Sequence, residues 1–98
     1  MGQAAARLGD MTTHGTALGP GPGCPSVLIE GRPAWRVAVD RHACPLADGS
    51  MPHVGGAVAA GSVTVRIGGL PAARRGDLVR EALSANPIVS GAQTVFIG

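Results

Sequence analysis

The segment at 23–36, GCPSVLIEGRPAWR, lines up with the segment at 61–74, GSVTVRIGGLPAAR. Gly23 falls on Gly61, Val27 on Val65, Ile29 on Ile67, Gly31 on Gly69, Pro33 on Pro71, Ala34 on Ala72 and Arg36 on Arg74. GAQTVFIG at 91–98 repeats the first half through Gly91, Val95 and Ile97, and AARLGD at 5–10 matches the second half, AARRGD at 72–77. A unit of about thirty to forty residues is therefore present three times, permuted by the chain ends. Each unit reads Ala-x-Arg-x-x-Asp, a variable loop, then Gly-x-x-x-Val-x-Ile, with bounds near 4–32, 33–70 and 71–98 in one domain, 1–98. A unit this short cannot bury an apolar face alone and must pack against its copies.

The Val-x-Ile pairs, Val27 with Ile29, Val65 with Ile67 and Val95 with Ile97, each set two β-branched residues on one face of a strand. Glycine follows each pair, at Gly31, at Gly68 and Gly69, and at Gly98, which is turn chemistry. No segment carries a sustained helical period. Residues 80–85 have room for one helical turn before Pro87 stops it. The expected fold is all-β, short strands and turns arranged three times around a common axis.

Such a chain is short of core. It has one tryptophan (Trp35), one phenylalanine (Phe96) and no tyrosine, and glycine and proline make 24 of its 98 residues. A domain of this size and composition needs either an internal repeat or a staple such as a metal or a disulfide. The start, MGQAAARLGD, has no apolar h-region, and no apolar run reaches membrane-helix length. Synthesis in the cytoplasm disfavours a disulfide and favours metal binding by Cys and His. The net charge is +2 with no lysine, and the one dense basic pair, Arg74 and Arg75, has no aromatic neighbours. Nucleic acid is therefore a poor partner.

All three histidines fall in equivalent places, the loops between the Asp of one unit and the next Gly. The loop at 10–23 holds His14, the loop at 40–61 holds His42, Cys44 and His53, and the loop at 77–91 holds neither residue type. His42 and Cys44 stand at i and i+2, on one side of an extended segment. His14, His42, Cys44 and His53 together make a His3Cys set, a filled tetrahedral shell of the structural kind. Zinc suits it, and iron is compatible with it. The competing reading is a buried cysteine beside surface histidines. Cys24 takes the slot of Ser62 and Ala92, so it reads as a packing residue, with a ligand role as the alternative. Arg7, Arg36 and Arg74 recur with Asp10, Asp40 and Asp77, which predicts local ion pairs and turn hydrogen bonds that position each unit, exposed pairs of this kind being of small individual worth. Enzyme readings fare poorly. The zinc-deaminase signature is absent, and a Cys44–His53 nucleophile pair has no orienting partner.

PAAR stands literally at 71–74, with PAWR at 33–36 and AAAR at 4–7 as variants. Together with the Gly-x-x-x-Val-x-Ile strands and the His/Cys loops, these residues make the chain, over 4–98, resemble the PAAR-repeat family of type VI secretion spike tips. The resemblance implies a small cone of short β-strands with pseudo-threefold symmetry and a metal at the apex, held by His14, His42, Cys44 and His53. It also implies a non-enzymatic role: one copy caps the trimeric VgrG spike, helps pierce a target membrane, and is expelled from the cytoplasm with effector proteins. The chain looks like a stand-alone tip with no extension domain and no stable membrane anchoring. A free-standing zinc-binding β-module is the alternative. The first motif departs from the pattern, with Ala4 in place of proline.

Overall fold

The computed structural model describes residues 2–13, 15–43, 47, 48, 51, 52, 56–81 and 85–98, and in it the Val-x-Ile segments lie in or against strands. In chain order the strands are β1 (Gln3–Ala4), β2 (Pro20–Gly21), β3 (Cys24–Ile29), β4 (Arg32–Ala34), β5 (Arg41–His42), β6 (Ala47–Asp48) and β7 (Met51–Pro52). There follow β8 (Gly56–Val58), β9 (Arg66–Ile67), β10 (Leu70–Pro71), β11 (Leu78–Glu81), β12 (Ala85–Pro87) and β13 (Phe96–Ile97). No helix occurs among the described residues, so the fold is all-β.

Three antiparallel pairs repeat one register. Ile29 faces Arg32 across β3 and β4, Ile67 faces Leu70 across β9 and β10, and Ile97 faces Gln3 across β13 and β1. The first two hairpins turn through two residues of positive φ, Glu30 (50°) with Gly31 (83°) and Gly68 (59°) with Gly69 (82°). Positive φ at both central residues marks the type I′ turn, whose twist suits a hairpin. The third pair has no turn, because its strands come from the two ends of the chain.

The Ala-Ala-Arg stretches close these pairs into a ring. The Ala6 N–H donates to the Ala73 carbonyl, Ala73 to Trp35, and Trp35 back to Ala6, at 2.9–3.0 Å. A second ring runs from Leu8 to Pro33, from Val37 to Pro71 and from Arg75 to Ala4, at 2.8–3.0 Å. Ala5, Ala34 and Ala72 are fully buried beside these rings. Small side chains are needed there because three backbones converge. Gly61 is needed for a related reason, since a Cβ on it would collide with the Ala72 carbonyl oxygen. Around the three alanines pack Ile29, Ile67 and Ile97, with Val27, Val65 and Val95 against them.

A second apolar cluster lacks this symmetry. Trp35, fully buried, packs among Leu18, Val58, Val79 and Ile88. Val58 and Val79 belong to a five-stranded antiparallel sheet in the order β12-β11-β8-β5-β2. Its strands come from the three segments that the sequence reads as variable loops. The one helical turn for which 80–85 has room does not form at its described residues. Arg80 and Glu81 are extended in β11, paired with β8 and β12, and Ala85 begins β12; residues 82–84 lie outside the described residues. The period-two burial of Val79 against Val58 decides the matter, because only an extended chain turns every second residue inward.

The Arg–Asp pairs are the local ion pairs and turn hydrogen bonds expected, but they are buried, not exposed. Asp10, Asp40 and Asp77 are buried, at 1%, 0% and 8% exposure. Each carboxylate accepts the backbone N–H of its arginine (2.7–2.8 Å) as well as a two-pronged guanidinium contact, for example Arg36 Nε to Asp40 Oδ2 (3.0 Å) and Nη2 to Oδ1 (3.0 Å). The hydrogen bond to Asp10 is the largest influence raising the Arg7 pKa above its ordinary value. The second clasp is also longer than the pattern Ala-x-Arg-x-x-Asp. Val39 is the extra residue between Arg36 and Asp40, and the detour is taken up at Ala38, with φ +70°.

Candidate functional site

Of the four predicted metal ligands, His42 lies within the described residues, whereas His14, Cys44 and His53 lie outside them. His42 ends β5 and is 2% exposed. It sits in a row across three strands, because Gly56 of β8 pairs with His42 on one side and with Glu81 of β11 on the other. Residues directly opposite in a sheet point to the same face. Gly56 has no side chain between its neighbours, so His42 and Glu81 meet over it, His42 Nε2 lying 3.7 Å from Glu81 Oε2 with both side chains fully buried.

The loop of the first unit reaches the same nitrogen. Thr16 Oγ1 lies 3.1 Å from His42 Nε2. Thr16 is held in turn by Thr12, whose N–H and Oγ1 both donate to the Thr16 carbonyl at 3.0 Å. The N–H of Gly15 donates to Thr12 O, and that of Thr13 donates to Pro87 O of β12. Thr16 of the first inter-unit loop and Glu81 of the third therefore meet at the buried imidazole of His42, carried by the second.

Among the described residues no group of three or more His, Cys, Asp or Glu is assembled to hold a metal ion. The surroundings of His42 are therefore what can be compared with a metal site. A buried imidazole with one nitrogen engaged by hydroxyl and carboxylate oxygens matches the usual surroundings of a metal-ligating histidine. Thr16 and Glu81 were not found from sequence. A signal for Glu81 existed: it follows Val79 by two residues, so reading 78–81 as a strand puts an acid on the buried face.

Cys24 lies apart from this cluster, 3% exposed in the threefold apolar core. Its Sγ is 3.3 Å from the Ser26 hydroxyl, a contact that pulls the thiol pKa below its ordinary value. Apolar residues also remain outside. Leu28 (61%), Val63 (93%) and Phe96 (59%) are exposed on the three Val-x-Ile segments, with Arg66 at the position equivalent to Leu28 and Phe96. Among the described residues no helix is long and apolar enough to cross a membrane.

A family model for the PAAR motif matches residues 48–98, which include the stretch from Pro71 to Arg74. No curated protein matches the chain. The match spans just over half of the sequence; the matched Ala73 shares its hydrogen-bonded ring with Ala6 and Trp35, and the matched Ala72 packs in one apolar cluster with Ala5 and Ala34. The chain belongs to the PAAR-motif family.

Proposed function

We propose that this protein is a spike tip of a type VI secretion system, in which one copy caps the trimeric VgrG protein. The observation that carries the reading is the closed ring of Ala6, Trp35 and Ala73, which sets three equivalent strand pairs around one axis in a single chain. A trimer offers every contact three times, and a monomer of three like units can answer all three. Strand-edge pairing and the exposed Leu28, Val63 and Phe96 supply contacts of the kind that mark partner surfaces. The domain works as one mechanical piece of three units near 4–32, 33–70 and 71–98. It performs no catalysis, helps the spike puncture a target membrane, and leaves the cytoplasm with the effectors that the spike delivers.

His14, His42, Cys44 and His53 hold structural zinc, or iron, at the end where the loops converge. The ion joins loops of different units and adds folding free energy on the order of 10 kcal/mol. His42 supplies one nitrogen donor from a buried, braced position.

Mixing the protein with its cognate VgrG trimer and measuring the mass of the complex tests the spike reading. One tip per trimer is expected, and a folded protein that fails to associate overturns it. A zinc-loaded protein that ignores the trimer would instead be a free-standing zinc-binding β-module. Elemental analysis is expected to find about one metal ion per chain, lost in the His42→Ala, Cys44→Ala double variant.

A further inference from the structure

The third inter-unit loop carries neither histidine nor cysteine, yet its Glu81 is buried against His42. The contacts at His42 Nε2 indicate what Glu81 does there. The Thr12 hydroxyl has one hydrogen and lies 3.0 Å from both the Thr16 carbonyl and the Thr16 hydroxyl. With that hydrogen on the carbonyl, which can only accept, the Thr16 hydroxyl donates to Thr12 and all three contacts are satisfied. In this arrangement Thr16 accepts from His42 Nε2, at 3.1 Å. Glu81 Oε2, 3.7 Å from the same nitrogen, is an acceptor as well. Two acceptors face Nε2, so the ring hydrogen resides there. In a neutral imidazole the lone pair then lies on Nδ1.

We infer that Thr16 and Glu81 are positioning residues that hold His42 as the Nε2–H tautomer and present Nδ1 as its metal-binding nitrogen. The inference rests on the metal reading above and deepens it: the first loop supplies Thr16 and the third supplies Glu81 to a ligand carried by the second. The third unit, which contributes no ligand, thereby takes part in the site. Carboxylate and hydroxyl partners of this kind fix ring orientation and raise ligand basicity, and losing one lowers metal affinity about 10–100-fold.

The test uses full-length protein labelled with 15N at histidine and loaded with 113Cd as a stand-in for zinc. Long-range proton–nitrogen spectra are expected to show the His42 hydrogen on Nε2 and cadmium coupling to Nδ1. Coupling to Nε2 overturns the assignment. Chelator competition with zinc is expected to show about a 10–100-fold weaker affinity for Glu81→Gln and for Thr16→Val, and near-normal affinity for Thr16→Ser. Thermal melts in excess chelator distinguish a purely structural role. Variants that melt lower without metal but keep the zinc affinity of the parent would overturn the positioning role and leave the metal reading standing. A parent protein that binds neither zinc nor cadmium would overturn both.

Discussion

At the scale of single residues, the Arg–Asp clasps carry more than their sequence spacing suggests. The spacing reads as a surface ion pair, but burial changes its energetics. Asp40, fully buried, takes the Gly23 N–H (2.9 Å), the Arg36 N–H (2.8 Å) and the Arg36 guanidinium. Removing one partner of such a group leaves the other charged and desolvated. Asp40→Ala is expected to cost about 3–5 kcal/mol, read as a lowered urea midpoint with an unchanged slope. Asp77→Ala should cost less, because Asp77 is 8% exposed and the Arg74 side chain 19%. A larger loss at Asp77 than at Asp40 would contradict this account. None of this was visible in the spacing, because burial depends on the rings formed by residues far apart in sequence.

At the scale of elements, the Val-x-Ile hairpins were legible and the sheet was not. Alternating β-branched residues and trailing glycines specify a strand and a turn through local rules alone. The sheet β12-β11-β8-β5-β2 depends on pairing among three loops rich in Ala, Gly and Pro, and those residues carry little strand signal. The candidate site divided the same way. His42 stood out because His is scarce and shared a loop pattern, whereas Thr16 and Glu81 became partners only through the sheet and the Thr12 turn. One tie between elements gives a pH prediction. Glu30, in the turn between β3 and β4, accepts the Thr94 hydroxyl (2.6 Å) and N–H (2.7 Å) and meets Arg7 Nη1 (2.9 Å). The Thr94 hydroxyl first, with its N–H and Arg7 adding, holds the Glu30 carboxyl below its ordinary value of 4.5. On acidification the unfolded chain therefore takes up this proton before the folded one. The stabilisation is complete above the ordinary carboxylate range and is lost as pH falls through the lowered folded value. Melts of Glu30→Gln should lack this part of the acid dependence. An unchanged pH profile would show that Glu30 does not contribute.

At the scale of the whole molecule, the chain ends occupy a place that a turn occupies twice elsewhere. Joining Gly98 to Gly2, without Met1, puts two glycines between Ile97 and Gln3, as Gly68 and Gly69 stand between Ile67 and Leu70. A permuted chain closed in this way and opened between Gly68 and Gly69 is expected to fold. Its melting temperature should lie within about 8 °C of the parent, the shift that 1 kcal/mol gives a domain of this size. Failure to fold would show that the three hairpins are not interchangeable.

The pairing of β1 with β13 also sets how the domain answers force. Gln3 and Ile97 are partners at the open end of an antiparallel pair. A tug that separates the two termini would peel that pair like a zipper, breaking its bonds one after another. A thrust along the axis of the rings has no such open edge to exploit. It is divided among three strand pairs that must give way together, so the domain should bear being pushed far better than being towed by its ends.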